Sequence, residues 1–252
     1  MSAVQRIVSL TPSNTEILFA LGLGERVVGV TELCNYPPEA RNRPKVGDAN
    51  ISVEKVVALK PDLVVAHDLL NARFIPVLKR VGLRVLSANP NTFAKLFEFM
   101  RAIGQATDTT ERAERLIRAL NQRIERVRAQ ARRLTRRPKV LFVIAIEPLW
   151  ASGRGTFADE MIHIAGGTNA LRASVQGFKA VSLETAIASN PDLILLTGGE
   201  PDALYRNRRW QGVSAIRRRQ VHQVNPDIFL REGPRLVDAL EQLADLVRRA
   251  SA

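Results

Sequence analysis

Two kinds of hydrophobic pattern alternate along the chain. Short runs of apolar, often β-branched residues are typical of buried strands, and apolar residues at every third or fourth position are typical of helices. Strands that alternate with helices indicate an α/β fold with two small lobes, each built on a mainly parallel sheet. Strands are predicted at 5–10, 27–30, 63–67, 84–88, 139–145, 193–197 and 221–224. Helices are predicted at 14–21, 52–59, 72–81, 157–165, 182–189, 212–218 and 234–249.

One long helical pattern separates the two lobes. Asp108 or Thr109 can cap its start, and Pro138 follows its last apolar position. At about 1.5 Å per residue such a helix spans roughly 40 Å, which is more than one small lobe needs. We therefore expect an N-terminal lobe at 1–105, a linking backbone helix at 106–137 and a C-terminal lobe at 138–252. The apolar positions of the helix form one stripe: Ala113, Leu116, Ile117, Leu120, Ile124, Val127, Ala131 and Leu134.

Each lobe contains a copy of one short sequence. SVEKVVALKPDLVV begins at Ser52 and SLETAIASNPDLIL begins at Ser182, so the copies are 130 residues apart. Each copy predicts a helix with a serine N-cap and a glutamate in its first turn, then a Pro-Asp turn and a buried strand. Duplication of an α/β lobe would account for this pattern without any shared function. The identical positions are Ser52/Ser182, Glu54/Glu184, Ala58/Ala188, Pro61/Pro191, Asp62/Asp192 and Leu63/Leu193.

The chain is strongly basic, with a formal net charge of +12 at pH 7. Residues 101–137 contain eleven arginines and four acids but no aromatic residue that could stack on a nucleic-acid base. A solvated helix face therefore explains this segment better than a nucleic-acid site does, and a weak affinity for anionic membrane surfaces stays open. We expect no nucleic-acid partner, and we expect the protein to be a monomer.

No catalytic or metal-binding pattern is present in the sequence. SGRGT at 152–156 lacks the lysine and the spacing of a phosphate-binding loop, and there is no G-x-S-x-G motif. His67, His163 and His222 lie far apart and Cys34 is the single cysteine, so neither a closed zinc site nor an internal disulfide is expected. Two lobes without these features indicate a protein that closes on a ligand, is not an enzyme and requires no cofactor.

Several stretches, taken in order, resemble one family of transport proteins. They are RIVSLTPSNTEILFALGLGERVVGVTELCNYPPEA, VEKVVALKPDLVVA, SGRGTFADEMIHIAGGTNAL and LETAIASNPDLILLTGG, with the long helix between the second and the third. From Arg6 to Leu246 the chain is similar to substrate-binding proteins of the ABC transporters for cobalamin and iron siderophores, most of all to the cobalamin branch. The resemblance implies a class III periplasmic-binding-protein fold of the helical-backbone type, with a ligand in the cleft between the lobes and no catalysis.

The resemblance also implies a role for the repeated glutamates. In the family, one glutamate of each lobe docks onto arginines of a dimeric membrane permease, and the matching residues here are Glu54 and Glu184. The implied partners are an ABC permease dimer and its ATPase subunits. A protein with two similar halves meets a twofold dimer with one anchor per half, so the duplication has a use. Helix capping is compatible with this role.

The ligand that the resemblance implies is cobalamin or a related corrinoid. The cobalamin branch lines its cleft with aromatic residues, whereas Leu33, Asp48 and His67 occupy such positions here and only 5% of the chain is aromatic. Haem or a ferric siderophore is therefore an alternative ligand. A cytoplasmic corrinoid-handling protein without a part in import is a further alternative. The residues that match ligand-contacting positions are Thr11, Pro12, Ser13, His67, Trp150, Phe178, Asp227, Phe229 and Arg231.

Three of these residues have a more specific interpretation. His67 follows a predicted strand at its carboxyl end, where ligands bind in open α/β sheets, and a neutral imidazole can coordinate cobalt or haem iron. The hypothesis is that His67 coordinates the metal of a haem or of a corrinoid without its own lower base, and the alternative is a hydrogen bond to a ligand arm. Asp227 and Arg231 can bind ligand arms or form a salt bridge.

The start of the sequence leaves two cellular locations open. MSAVQRIVSL has no charged leader followed by an apolar stretch. The resemblance implies a periplasmic or other extracytoplasmic protein whose signal peptide is absent from this sequence. A native start at Met1 would instead indicate the cytoplasm.

Overall fold

The computed structural model describes residues 4–251 and divides the chain into two compact units. Unit 1 comprises Met1–Leu120 and Glu232–Pro234, and unit 2 comprises Asn121–Arg231 and Arg235–Ala252. Each unit has its own mainly parallel sheet, which confirms the predicted α/β fold class. The boundary between the units falls inside the long helix, and the definition of that helix as a separate linking segment stays a prediction.

Unit 1 is an α/β layer structure. Its strands are β1 (Ile7–Ser9), β2 (Val27–Gly29), β3 (Leu63–His67) and β4 (Val85–Ala88), and its helices are α1 (Pro12–Ala20), α2 (Val53–Ala58), α3 (Ile75–Arg80) and α4 (Phe93–Ala106). The strands are all parallel, in the order β2-β1-β3-β4. Every residue of β3 is buried, which explains its continuous apolar sequence.

Unit 2 has a larger, mixed sheet. Its strands are β5 (Lys139–Ala145), β6 (Trp150–Ser152), β7 (Thr168–Asn169), β8 (Phe178–Ala180), β9 (Leu193–Leu196) and β10 (Val221–Gln223). Its helices are α6 (Phe157–Ile164), α7 (Leu183–Ala188), α8 (Pro201–Arg206), α9 (Ser214–Arg217), α10 (Pro226–Phe229) and α11 (Leu236–Ser251). The order is β10-β9-β5-β6-β8, with β7 beside β5. β6 runs antiparallel to both of its neighbours, β5 and β8, and the other strand pairs are parallel.

The long helix, α5, runs from Thr110 to Ala131 and has 22 residues, so it is about 33 Å long. The N–H of Ala113 donates to the carbonyl of Thr109 (3.0 Å), which confirms the start near the predicted cap. The end is earlier than predicted: the N–H of Leu134 reaches back only to the carbonyl of Ala131 (3.2 Å). The Leu134 side chain lies against Gly166, where a Cβ would be 2.8 Å from its Cδ1.

The two copies of the repeat begin in the same way. The Ser52 hydroxyl accepts the N–H of Lys55 (3.2 Å), and the Ser182 hydroxyl accepts the N–H of Thr185 (3.1 Å). Both serines are therefore N-caps, as predicted.

The Pro-Asp turns have a role that turn chemistry alone does not reveal. The Asp62 carboxylate accepts the N–H groups of Gln5 and Arg6, each at 2.8 Å, just before β1. The Asp192 carboxylate accepts the N–H of Lys139 at 2.9 Å, at the start of β5. Asp62 thus holds the start of β3 to the start of β1, and Asp192 holds the start of β9 to the start of β5.

Candidate functional site

The carboxyl edge of the unit 1 sheet brings two predicted site segments together. Residues 11–13 follow β1, and His67 is the last residue of β3. The side chain of Asn71 joins them, because its Oδ1 accepts the N–H of His67 (2.8 Å) and its Nδ2 donates to the carbonyl of Leu10 (3.4 Å). Asn71 is therefore a positioning residue that the sequence pattern does not identify.

The hydroxyl groups of residues 11–13 are largely engaged at the start of α1. Thr11 is its N-cap and accepts the N–H of Asn14 (3.4 Å), and its Oγ1 lies 3.1 Å from the Ser13 hydroxyl. Thr11 and Ser13 are buried and Pro12 is half-buried. The Asn14 Nδ2 is buried and has no hydrogen-bond partner within residues 4–251. This segment therefore offers one unused amide donor.

His67 is buried and its two ring nitrogens differ. Nδ1 accepts the N–H groups of Leu69 (3.2 Å) and Leu70 (3.3 Å), whereas Nε2 has no partner among the described residues. Burial lowers the pKa of His67, and the charge of Asp68 opposes this only in part. The neutral ring carries its proton on Nε2, since Nδ1 accepts, so His67 presents an unused N–H donor. Metal coordination through Nε2 would require the other tautomer and stays a prediction.

Exposed apolar side chains lie on the loops that leave the same edge. Leu33 and Tyr36 follow β2 and are 58% and 42% exposed, and Leu69 and Leu70 follow β3 and are 67% and 64% exposed. Exposed apolar clusters of this kind mark binding surfaces. Of these four residues, only Leu33 was noted from the sequence, as a departure from the aromatic pattern, although their positions within a few residues of a predicted strand end were a usable signal. Asp48, like Leu33 and His67, occupies a position that is aromatic in the cobalamin branch. It is exposed and accepts the N–H of Asn50 (2.6 Å).

A loop at residues 232–234 packs against the start of α1. A Cβ at Gly233 would lie 3.5 Å from the carbonyl oxygen of Ser13 and 3.5 Å from the Glu16 carboxylate. The preceding Glu232 is partly buried, and this burial raises the pKa of Glu232 to about 7. Near neutral pH its carboxyl group is present in both forms, so it can donate or accept a hydrogen bond. The sequence analysis does not identify Glu232.

In unit 2, two predicted aromatic contacts share a sheet face. Trp150 pairs with Ala145, the last residue of β5, and is therefore at the carboxyl edge, with 41% of its surface exposed. Phe178 pairs with Ser152, two residues along β6, so its side chain is on the same face of the β6–β8 pair as that of Trp150. Phe178 is half-buried, with its ring 5.4 Å from that of Phe157.

The three remaining predicted residues lie at or just after α10, beyond the carboxyl end of β10. The Arg231 guanidinium donates to the Asp227 carboxylate (2.7 Å), so the salt bridge that the sequence suggested is present. Phe229 has no exposed surface, and its ring lies 6.3 Å from that of Phe142 on β5. A ring without exposed surface packs the core in this conformation, and a direct ligand contact by Phe229 stays a prediction.

Glu54 and Glu184 are both exposed in first helical turns, but their partners differ. Glu54 accepts a hydrogen bond from the Ser52 hydroxyl (2.9 Å), whereas Glu184 forms an ion pair with Arg209. The pKa of each glutamate is lowered first by its own backbone N–H at the helix start. For Glu54 the Ser52 hydroxyl lowers the pKa further, and for Glu184 Arg209 does so.

The helices that carry the two glutamates, α2 and α7, begin at the carboxyl edges of their sheets. The N–H of Ser52 donates to the carbonyl of Val46 (2.8 Å), and Val46 is bonded to Val30, just beyond β2. The N–H of Val181 donates to the carbonyl of Leu149 (2.9 Å), the neighbour of Trp150. In each unit, the predicted docking residue and the predicted ligand-contacting residues therefore occupy the same side of the sheet.

Two absences hold for residues 4–251. No group of three or more His, Cys, Asp or Glu residues there is placed to hold a metal ion. No helix in that range is long and apolar enough to cross a membrane. Cys34 is buried, and its sulfur lies 3.2 Å from the Thr15 hydroxyl and 3.1 Å from the Thr31 hydroxyl.

Comparison with known proteins gives consistent matches over nearly the full length. A family model described as periplasmic binding protein matches residues 7–228. The ABC transporter substrate-binding lipoprotein YvrC of Bacillus subtilis is 35% identical over 251 residues, which is 96% of this chain and 80% of that protein. A vitamin B12-binding protein of Vibrio cholerae is 28% identical over 250 residues, 98% of this chain and 90% of that protein. The structure of the periplasmic haem-binding protein RhuT of Roseiflexus has a TM-score of 0.88 and 32% identity, covering 99% of this chain and 100% of that one.

Proposed function

Since the chain belongs to the periplasmic binding protein family, we propose that it binds cobalamin or a related corrinoid and delivers it to a membrane permease. It is an ABC-transporter substrate-binding protein of the vitamin B12, haem and siderophore type. Such proteins act with membrane permease and ATPase components, and the family is periplasmic or of the lipoprotein type. We accordingly place ligand capture outside the cytoplasm.

The observation that carries the proposal is the exposed apolar surface at the carboxyl edges. Leu33, Tyr36, Leu69 and Leu70 in unit 1 and Trp150 in unit 2 are large apolar side chains with at least two-fifths of their surface in solvent. A corrin ring and its methyl groups offer a broad apolar face that such side chains can cover. Burial of this surface would contribute about 25 cal/mol for each Å² removed from water.

Polar groups beside this surface suit the periphery of a corrinoid. The ring of a corrinoid carries amide side chains, whose carbonyl oxygens accept hydrogen bonds. His67 Nε2–H and Asn14 Nδ2 are buried donors without a partner in the described range. A hydrogen bond from either group to such an oxygen would compensate the free-energy cost of burying the donor without a partner. We propose that Asp227 and Arg231 bind ligand arms at the edge of unit 2. We further propose that Phe178 contacts the ligand from unit 2, that Thr11, Pro12 and Ser13 contact it from unit 1, and that Phe229 supports the unit 2 residues.

Haem is the second candidate, and one observation favours it. The haem-binding protein RhuT is more similar in sequence to this chain than the vitamin B12-binding protein of Vibrio cholerae is. Haem carries carboxylates in place of amides, and a carboxylate accepts a hydrogen bond from His67 Nε2–H equally well. Iron coordination by His67 would instead need the tautomer with its proton on Nδ1.

A visible-absorption titration distinguishes these ligands. The protein is mixed in turn with cobalamin, cobinamide, haem and a ferric siderophore, and binding is followed by the shift of the ligand spectrum. We expect the tightest binding with a corrinoid. Tightest binding of haem or of the siderophore would replace the corrinoid proposal and leave the family assignment intact. The same titration with His67→Ala tests coordination, since an unchanged bound spectrum would eliminate a metal–imidazole bond.

Trp150→Ala tests the unit 2 contact. An aromatic anchor in a binding site commonly contributes about 2 kcal/mol, so the Kd should rise about 30-fold. Val81→Ala is a matched control, because Val81 is similarly exposed but follows α3 and does not belong to the proposed site. Unchanged binding with reduced thermal stability would assign Trp150 to the core.

We also propose that Glu54 and Glu184 dock onto the permease. The double variant Glu54→Gln, Glu184→Gln should keep its ligand affinity and lose association with the permease. Glu25→Gln with Glu125→Gln removes one exposed acid from each unit and serves as the control. Full transport by the docking variant would leave the two glutamates with helix capping as their only role.

A further inference from the structure

We propose that a basic surface of unit 2, formed by residues 126–139 and 217–219, binds the anionic headgroups of a lipid bilayer. This surface, called the basic strip below, is separate from the proposed ligand and docking residues. Its function would be to hold the protein at a membrane by charge alone.

The charge of the basic strip is unbalanced over a short length of chain. Residues 126–139, which include the last six residues of α5, contain seven basic residues and no acid, and residues 217–219 are three consecutive arginines. The seven basic side chains of 126–139 are all exposed. Arg132, Arg133 and Arg137 form no ion pair or side-chain hydrogen bond within the described part of the chain, so their charge is available to a partner.

One buried acid brings the two segments of the basic strip together. The Asp192 carboxylate pairs with Arg136 and lies 4.0 Å from Arg218. The side chain of Asp192 is only 11% exposed, whereas those of Arg136 and Arg218 are 44% and 58% exposed. Asp192 therefore fixes the position of the cations without presenting a negative charge to the partner.

The basic strip is at the amino edge of the unit 2 sheet. Lys139 begins β5, Asp192 directly precedes β9, and residues 217–219 end shortly before β10 begins at Val221. These three strands are parallel, so their amino ends share one edge. Trp150 and Glu184 belong to the opposite edge. A bilayer at the basic strip would consequently lie opposite Trp150 and Glu184, so a protein held in this way would have to leave the lipid surface before Glu184 could dock onto a permease.

The chemistry of the basic strip fits a lipid surface better than a nucleic acid. Residues 121–139 contain no aromatic side chain on which a base could stack. Tyr205 is the aromatic residue that contacts the strip, and the Arg219 guanidinium lies over its ring at 5.3 Å. Anionic headgroups need no such stacking, since clustered Lys and Arg attract them by charge. The family also acts beside a membrane, which supplies the surface.

Vesicle sedimentation tests the proposal with the full chain. Phosphatidylcholine vesicles with and without phosphatidylglycerol are mixed with wild type, with Arg132→Gln/Arg133→Gln, and with Arg115→Gln/Arg118→Gln. The control pair is exposed on the same helix but belongs to unit 1. Each basic residue near an anionic surface changes partitioning about fivefold, so the first variant should bind about 25-fold more weakly and the control should bind as wild type does.

The outcomes separate the basic strip from net charge and from nucleic acid. Binding that requires phosphatidylglycerol, weakens with salt and depends on Arg132 and Arg133 supports the proposal. Equal losses in the two variants would show adsorption by net charge and overturn it. Binding to neutral vesicles would overturn it too. Displacement of the protein from the vesicles by a DNA duplex at equal phosphate concentration would assign the basic strip to nucleic acid instead.

Discussion

The two copies of the repeat, residues 52–63 and 182–193, share their backbone and differ in their electrostatics. Both have a serine N-cap, an aspartate that holds the next strand to the first strand of its sheet, and one non-glycine residue with positive φ, Lys60 at 46° and Asn190 at 42°. The glutamates differ, since Glu54 has a hydroxyl partner and Glu184 has an arginine partner.

The strand ends differ in the same way. His67 ends β3, and the position 130 residues later is Thr197, directly after β9. The Thr197 hydroxyl donates to the carbonyl of Val143 (3.3 Å), whereas His67 keeps an unused donor. The serines that cap the helices and the aspartates that hold the strands are therefore the same in the two copies. The side chains proposed to face a ligand or a permease differ between the copies, so we expect the two units to contribute unequally to binding.

The aspartates should give the largest difference in stability. Asp192→Ala should lower the free energy of unfolding by about 2–3 kcal/mol, because it removes a buried, charged acceptor from Lys139 N–H and from Arg136. Asp62→Ala should cost about 1–2 kcal/mol, because Asp62 is exposed and water can replace it. Urea denaturation at neutral pH measures both. The surface variant Asp202→Ala should change the value by less than about 0.5 kcal/mol, and equal losses for Asp62 and Asp192 would contradict the assigned difference in burial.

The serine caps should give equal and smaller losses. Ser52→Ala and Ser182→Ala should each reduce the free energy of unfolding by about 1 kcal/mol, since each hydroxyl satisfies one N–H of a first helical turn. Ser52→Asp and Ser182→Asp keep a capping acceptor and should retain stability. A clear inequality between the two alanine variants would show that the caps are not equivalent.

Replacing His67 by threonine, the residue at the equivalent position of unit 2, should alter the pH dependence of the free energy of unfolding. Burial lowers the pKa of His67 in the folded state, so the unfolded chain binds a proton more readily and stability is lost as pH falls below about 6.5. His67→Thr places the unit 2 residue in unit 1 and should remove this loss. Urea denaturation between pH 5 and 8 compares the two proteins, with His163→Gln, at an exposed histidine, as the control. The same acid slope in wild type and His67→Thr would exclude His67 as its source.

Arg209 should affect docking without affecting folding. Glu184 and Arg209 form an exposed ion pair, so Arg209→Gln should leave stability essentially unchanged. If the glutamates dock as proposed, a permease arginine competes with Arg209 for Glu184, whereas Glu54 has the Ser52 hydroxyl as its partner. Glu54→Gln should therefore weaken association with the permease more than Glu184→Gln does, and Arg209→Gln should strengthen it. Equal effects of the two glutamate variants, measured with the permease in nanodiscs, would show that Arg209 does not compete.

The regular parts of the fold could be predicted because their signals are local. β3 and β9 are continuous apolar runs, and Ser52 and Ser182 directly precede their helices. β6, β7 and β8 are not predicted, because their sequences WAS, TN and FKA are not continuous apolar runs. α4 is also not predicted as a separate helix, although Thr92 caps it and its apolar face is regular. The arginine-rich composition that begins at Arg101 favours one continuous helix, which obscures the break between α4 and α5.

The placement of the candidate residues at strand ends was predictable, but their contacts were not. That ligand contacts follow strand ends is a general property of parallel sheets, and it locates Thr11 and His67 from sequence. The partner of Glu184 is 25 residues away at Arg209, and the burial of Phe229 depends on Phe142 in another strand. Such relations arise from tertiary packing, which a periodic pattern does not encode.

The raised pKa of Glu232 means that folding takes up a proton. Between about pH 4.5 and 7 the folded carboxyl stays protonated while the unfolded one ionises, so this group makes the protein less stable as pH rises through that window. His67 acts in the opposite sense, because it releases a proton on folding below about pH 6.5. Glu232 and His67 therefore have opposite effects on the free energy of unfolding in mildly acidic solution, and the loss of stability that His67 causes as pH falls is partly offset by Glu232.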